Sequence, residues 1–196
     1  MKSKGRFPRG RVAFFLTGNI HKFNEARQVL AEHGIATALL RVETVEIQDD
    51  DVEKIAKATA TEAVEKCNLP VIVEDAGLFI EALNGFPGPY SSYVYRTIGT
   101  EGILKLMKNT KKRDAHFRSV VAFCGPDEPS RCFHGRVEGK IALEKRGNLG
   151  FGFDPIFEPS AGNGKTFAEM TLMQKNKYSH RAEALGKFAR WYTSAP

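Results

Sequence analysis

The spacing of apolar and polar residues changes several times along the chain, and each change marks a candidate element. Val12–Leu16 is a short apolar run ended by Thr17-Gly18-Asn19, which reads as a buried strand. Phe23, Ala26, Val29 and Leu30 then recur at helical spacing, with Asn19 as N-cap and Gly34 as a natural stop. Residues 42–47 read as a second strand running into the acidic loop Gln48-Asp49-Asp50-Asp51. A helix follows. Asp50 and Glu53 form its capping box, Val52, Ile55, Ala56, Ala60 and Ala63 its inner face, and Asn68-Leu69-Pro70 its end.

Val71-Ile72-Val73 is a short apolar strand leading into Glu74-Asp75, and the glycine- and proline-rich segment 84–89 is a loop. Thr100 opens a short helix with Ile103, Leu104 and Met107 inward. Residues 116–124 and 131–143 read as two antiparallel strands around the turn 125–129. Residues 147–159 form a loop rich in glycine and aromatics. A last helix begins at Ser179, with Ala182, Leu185, Phe188 and Tyr192 on one face. The mixture predicts an α/β protein with a mixed sheet.

Composition narrows the class. At 196 residues, 42% hydrophobic and 27% charged, the chain can bury a core without disulfides or structural metal. We expect residues 1–11 to be a basic extension and 12–196 a single domain. Cys67, Cys124 and Cys132 are odd in number and lack a C-x-x-C pair, so neither complete pairing nor a zinc site is expected. They read as reduced residues of a cytoplasmic protein. No apolar run is long enough to span a bilayer, so no membrane partner is expected. Lys2, Lys4, Arg6, Arg9 and Arg11 resemble the first region of a signal peptide, but the apolar run after them is too short, so we read a solvated basic tail. The net charge of +6 favours an anionic partner. Five of the positive charges lie in the tail, which weakens a nucleic-acid reading, and no stable nucleic-acid partner is expected.

Five constellations carry candidate chemistry. Thr17-Gly18-Asn19-x-x-Lys22 joins a strand to a helix start, where unpaired amides attract anions, and Gly18 lets the backbone come close. The P-loop pattern is absent. Glu74-Asp75, followed by Ala76-Gly77, offers hard oxygen donors for Mg²⁺ or a base for water. Glu46 could bring another carboxylate to the same ion. Gly150-Phe151-Gly152-Phe153-Asp154-Pro155 suits a pocket in which a planar base stacks. Lys175 with Ser179-His180-Arg181 puts cationic groups at a helix N-terminus, where the dipole disfavours them unless an anion or acceptor is near. Each segment also has a bland reading as a capped helix, a solvated turn or a packed loop.

Together these segments, with Leu83-Asn84-Gly85-Phe86-Pro87-Gly88-Pro89-Tyr90-Ser91 and Thr166-Phe167-Ala168-Glu169-Met170, resemble the inosine-triphosphatase family, also called the non-canonical purine NTP pyrophosphatases. The resemblance runs in order from residue 12 to 185. It implies an elongated, two-lobed α/β protein, a mixed sheet with flanking helices, a nucleotide cleft and a homodimer. It implies a reaction that splits ITP, dITP or XTP into monophosphate and pyrophosphate, with Mg²⁺ as cofactor and Mn²⁺ as a substitute. By the same resemblance Asp75 is the catalytic base, and Glu46 and Asp75 are metal ligands with Glu74 close by. Thr17, Gly18, Asn19 and Lys22 contact phosphate, joined by Ala76. Phe151, Gly152, Phe153, Asp154, His180 and Arg181 form the base pocket, and Lys175 is a further nucleotide-binding lysine. Three departures stand out. Ala76 lacks the hydroxyl many members carry there, Thr59 stands near a family lysine with Lys57 beside it, and Phe153 has no hydroxyl. Two rivals remain, a basic nucleic-acid-binding module and a related pyrophosphatase for modified pyrimidine or methylated nucleotides.

Overall fold

The structure is a computed structural model that describes residues 12–45, 47–126 and 128–194. The basic segment 1–11 and Glu46 therefore lie outside the described residues. Among the described residues seven strands form one sheet: β1 (Val12–Leu16), β2 (Ala36–Leu40), β3 (Val71–Ile80), β4 (Pro87–Gly88), β5 (Asp114–Gly125), β6 (Glu128–Ile141) and β7 (Phe157–Pro159). The order is β2-β1-β3-β5-β6-β7, with β4 paired to β3. β1 runs parallel to β2 and β3, and the other pairings are antiparallel, so the sheet is mixed as expected.

Among the described residues six α-helices flank it: α1 (Ile20–Glu32), α2 (Val52–Cys67), α3 (Ser91–Thr97), α4 (Gly99–Leu106), α5 (Leu172–Asn176) and α6 (His180–Ser194). Side chains alternate across a strand. Ile72, Val121 and Phe123 therefore point to the face covered by α1 and α6, where Leu30, Leu185 and Phe188 complete the core. Val71, Val73, Val120 and Ala122 point to the opposite face, against the alanine-rich side of α2. A third cluster gathers the far ends of β3, β5 and β6 with α3, α4 and β7 through Leu78, Val94, Ile103, Phe117 and Phe157. These clusters make the two expected lobes, the first pair around one end of the sheet and the third at the other.

Several sequence expectations are corrected. The second strand is Ala36–Leu40, not 42–47, because β1 already has its full set of partners in residues 36–40. Residues 42–45 instead dock on α2, where Val45 N–H donates to Glu62 (2.9 Å) and Lys66 donates to the Glu43 carbonyl (2.7 Å). The cap of α2 is Asp51, whose carboxylate accepts from Glu53 N–H, rather than Asp50. β3 does not stop at Val73 but runs on to Ile80, so Glu74-Asp75 sit inside a strand. Helices α3 and α5 were not expected. Asn19 as cap of α1 and the inner faces of α2 and α6 stand as read from the pattern.

Candidate active site

The register explains where the site opens. β5 pairs β3 along its whole length, from Val71 to Ile80. On the other edge β1 ends at Leu16 opposite Val73, and β4 begins only opposite Leu78. Residues 74–77 therefore face a gap between β1 and β4, at the carboxyl end of a parallel pair, where open α/β sheets bind ligands. A cavity of about 980 Å³ lies there. Of the fourteen candidate site residues among those described, all line it. Glu46 lies outside the described residues.

Alternation sends the adjacent carboxylates to opposite faces. Glu74 points to the α1/α6 face. Its Oε1 accepts from Ser119 (2.6 Å) and pairs with Arg181 Nε (3.1 Å), and its Oε2 pairs with Lys22 Nζ (3.0 Å). Lys22 also donates to the Glu74 carbonyl (3.1 Å), an acceptor on the edge left open by the gap. Burial alone would push the Glu74 carboxyl up, but Arg181 and Lys22 outweigh it and hold it far below the carboxylate range. Asp75 points to the α2 face, half-buried, and its Oδ1 accepts from Ala76 N–H (2.9 Å).

The ion pairs extend as a chain of alternating charge. Arg181 pairs with Glu25 as well as Glu74, Glu25 with Lys175 (2.8 Å), and Lys175 with Asp154 (2.6 Å). Glu25, Lys175, Arg181 and Asp154 are all about 3% exposed. Burial raises the Glu25 carboxyl, yet Arg181 and Lys175 bring it net below its ordinary value. Burial raises the Asp154 carboxyl, and Lys175 offsets this only in part, so it stays above its ordinary value. Burial lowers the Arg181 guanidinium, but Glu74 and Glu25 more than restore its charge. His180 is buried and stacked on Phe117 (centroids 4.6 Å, 7°), and burial together with Arg181 holds its imidazole well below the usual histidine range, hence neutral.

The two loops at the ends of this chain are built differently. Asn19 Oδ1 accepts from His21 N–H (2.9 Å) and Lys22 N–H (3.2 Å), and Thr17 Oγ1 accepts from Asn19 N–H (3.1 Å). The cap thus engages two amides of the first turn, and the outer backbone at Gly18 faces open space, where an added Cβ would meet nothing within 4 Å. In the aromatic loop Asp154 Oδ2 accepts from Phe151 N–H (2.9 Å). Gly150, at φ +71°, has no room for a side chain, since a Cβ would lie 2.1 Å from that same oxygen. Phe151 is the half-buried ring of this loop. Phe153 is 4% exposed and packs in the third cluster, perpendicular to the Tyr95 ring, so it is offered less openly than its sequence position implied.

Sequence reasoning missed Glu25, Ser119 and His21. Glu25 falls between Lys22 and Val29 on the inward side of α1, a spacing that does signal it. Ser119 has no local signal and is revealed only by its register opposite Ala76. Lys57 pairs with Glu53 on the surface of α2, while Thr59 lines the cavity. Among the described residues no group of three or more His, Cys, Asp or Glu is poised to hold a metal.

The fold and site define an α/β protein whose sheet gap holds carboxylates on both faces, beside a chain of buried ion pairs that joins a helix-start loop to an aromatic loop. The chain belongs to the Ham1 family, whose model matches residues 13–191. It is 52% identical over 178 residues to the dITP/XTP pyrophosphatase of Methanopyrus kandleri, covering 91% of this chain and 94% of that one. It is 50% identical to the dITP/XTP pyrophosphatase of Thermococcus kodakarensis, covering 90% and 95%. A HAM1 protein from Coxiella burnetii superposes with a TM-score of 0.82 at 29% identity, covering 94% of this chain and 100% of that one. The Staphylococcus aureus Ham1 protein gives 0.78 at 29%, covering 92% and 97%.

Proposed function

We propose that the chain is a nucleoside-triphosphate pyrophosphatase that hydrolyses dITP, XTP and ITP to the monophosphate and pyrophosphate, clearing such nucleotides from the pool. The observation that carries this reading is the single cavity in which Asp75, Lys22, Lys175 and Arg181 meet the phosphate-type and aromatic loops. Two relatives of about half-identical sequence are named dITP/XTP pyrophosphatases, which supports the reading.

In this reading water attacks at the α–β phosphate link, the bridging P–O bond breaks, and pyrophosphate leaves. Asp75 accepts the proton of the attacking water. Thr17, Asn19 and the Gly18 backbone cradle the phosphates with the Ala76 backbone opposite, and Lys22 with Lys175 balances the charge that develops. Asp75 is a half-buried hard-oxygen donor on the cavity wall, which fits a divalent cation. Such a cation would be held by Asp75, with Glu46 as the second carboxylate that the family resemblance implies, its remaining positions left to phosphate and water. Mg²⁺, or Mn²⁺ in its place, supplies charge neutralisation when bound. Glu74, already held by Lys22, Arg181 and Ser119, orients those groups from close by.

The base lies against Phe151, Gly152 and Phe153, with Asp154, His180 and Arg181 around its edge. Inosine and xanthine present a 6-oxo acceptor, whereas the adenine amine leaves a buried donor unpaired at a cost of about 1–3 kcal/mol, or roughly 10- to 100-fold. The enzyme is read as a homodimer of a reducing, cytoplasmic compartment. Its three cysteines are free, and among the described residues no helix is long and apolar enough to cross a membrane. The test is product analysis on a panel of dITP, XTP, ITP, ATP, GTP, dUTP and methylated NTPs. Pyrophosphate release with a preference for the 6-oxo purines is expected. Orthophosphate release, or equal turnover of ATP, sinks the reading.

A further inference from the structure

His21 fills one of the unspecified positions of the Thr17–Lys22 motif, and it makes a contact across the cavity. It occupies the first turn of α1, its amide tied to Asn19 Oδ1 (2.9 Å), and its ring stacks on Phe151 with centroids 5.2 Å apart and planes at 16°. Both rings line the cavity. Phe151 lies between Gly150 at φ +71° and Gly152 at φ +62°, and its N–H donates to Asp154 Oδ2 (2.9 Å), which fixes the loop backbone but not the ring itself. What holds the ring is its surroundings. Lys175 Nζ lies 4.9 Å and Arg181 Cζ 5.4 Å from its centroid, both of them buried. His21 is exposed and approaches from a different element. Among the described residues it supplies the aromatic contact that reaches this ring from the phosphate side of the cavity.

We propose that His21 is a positioning residue that fastens the base loop to the phosphate loop, so that Phe151 is set for the purine base by the same helical turn that carries Lys22. The inference rests on the assignment of Phe151 to the base subsite made above. Helix periodicity supports it, since His21 and Glu25 are four residues apart and share a face of α1. One of them reaches the outer ring of the base loop, and the other reaches its Lys175 anchor. The first turn of α1 thereby serves both ends of the substrate.

The experiment compares wild type, His21→Ala and His21→Phe. Amide hydrogen exchange of residues 150–154 is followed without ligand, and steady-state turnover of dITP and XTP is measured alongside. An aromatic pair is worth about 0.5–1.5 kcal/mol, so His21→Ala should speed loop exchange about two- to tenfold. It should raise KM by a similar factor with kcat little changed, and His21→Phe, which keeps the ring, should restore both. Unchanged loop exchange in His21→Ala, an unchanged or lower KM, or failure of His21→Phe to rescue overturns the proposal. Absence of dITP and XTP turnover in the wild type sinks the functional reading alone, because the ligand-free exchange still decides for or against the tether.

Discussion

Lys22, Glu74, Arg181, Glu25, Lys175 and Asp154 alternate in sign along one connected line of ion pairs, from the helix-start loop to the aromatic loop. Such charges tolerate burial only together, so each residue inside the line is held by two neighbours, and Lys22 and Asp154 at its ends by one, before any substrate arrives. Removing one partner leaves the others uncompensated. Glu25→Gln should therefore lower unfolding free energy by about 3–5 kcal/mol in denaturant titrations, with a raised KM because Lys175 and Arg181 lose their common anchor. Asp75 is not a member of this line. Asp75→Asn should cost roughly 10²- to 10⁴-fold in turnover while leaving the unfolding midpoint at the wild-type value. Arg181 stood out in the sequence from its place at a helix start, where a cation is out of keeping with the dipole, but that argument does not extend to Lys175, which sits in the last turn of α5, where the dipole favours it. Glu25 was not singled out because an acid among the polar residues of a helix looks ordinary until its spacing from Ala26 and Val29 is set against the buried stripe.

At the scale of elements, the gap on one edge of β3 explains the cavity, and it is a property of register rather than of any motif. The Val71–Val73 run and the acidic pair after it were readable, but the strand's continuation to Ile80 was not, because two adjacent charges read as the end of an apolar strand, and the distant partners that let Glu74 sit in mid-strand, Arg181 and Ser119 with Lys22, are not visible in the local pattern. The second strand was misplaced for a related reason. Residues 42–45 carry the β-branched Val42, Thr44 and Val45, yet residue type alone cannot say which segment takes the edge of β1 away from β3. The approach of α6 to β6 makes a sharp prediction. A Cβ at Gly135 would lie 1.8 Å from the His180 carbonyl oxygen and 2.8 Å from Ala184 N, both backbone. Gly135→Ala should therefore destabilise by about 1–3 kcal/mol or more, and it should weaken nucleotide binding by shifting the helix start that carries His180 and Arg181. Gly18→Ala is the contrasting case. Its Cβ meets nothing, so thermal stability should hold while KM rises, because the new methyl projects into the space read as the phosphate site.

For the whole molecule, the two lobes meet along β3, β5 and β6, and a buried histidine marks each side of the join. His180 begins α6 and stacks on Phe117, while His116 stacks on Phe79 (centroids 5.2 Å, 4°) and its Nε2 accepts from Arg118 Nε–H (3.1 Å). Burial is the leading cause that holds both imidazoles below their ordinary value, with Arg181 adding to it at His180 and Arg136 at His116. Each is therefore neutral when folded, whereas the unfolded chain takes up a proton near pH 6.5. The unfolded state binds more protons once pH falls below that value, so stability is complete above it and is lost on acidification. The depressed carboxyls of Glu25 and Glu74 act in the same sense, but only below about pH 4.5, where their unfolded forms begin to protonate. Asp154 acts oppositely, since its raised pKa relieves a cost as pH drops, so it can only blunt the fall. Melting temperature measured from pH 8 to pH 5 should therefore decline below about 6.5. His180→Gln and His116→Gln should each flatten that decline, and a wild-type profile that is flat from 8 to 5 would show that neither buried imidazole is neutral for the reason given.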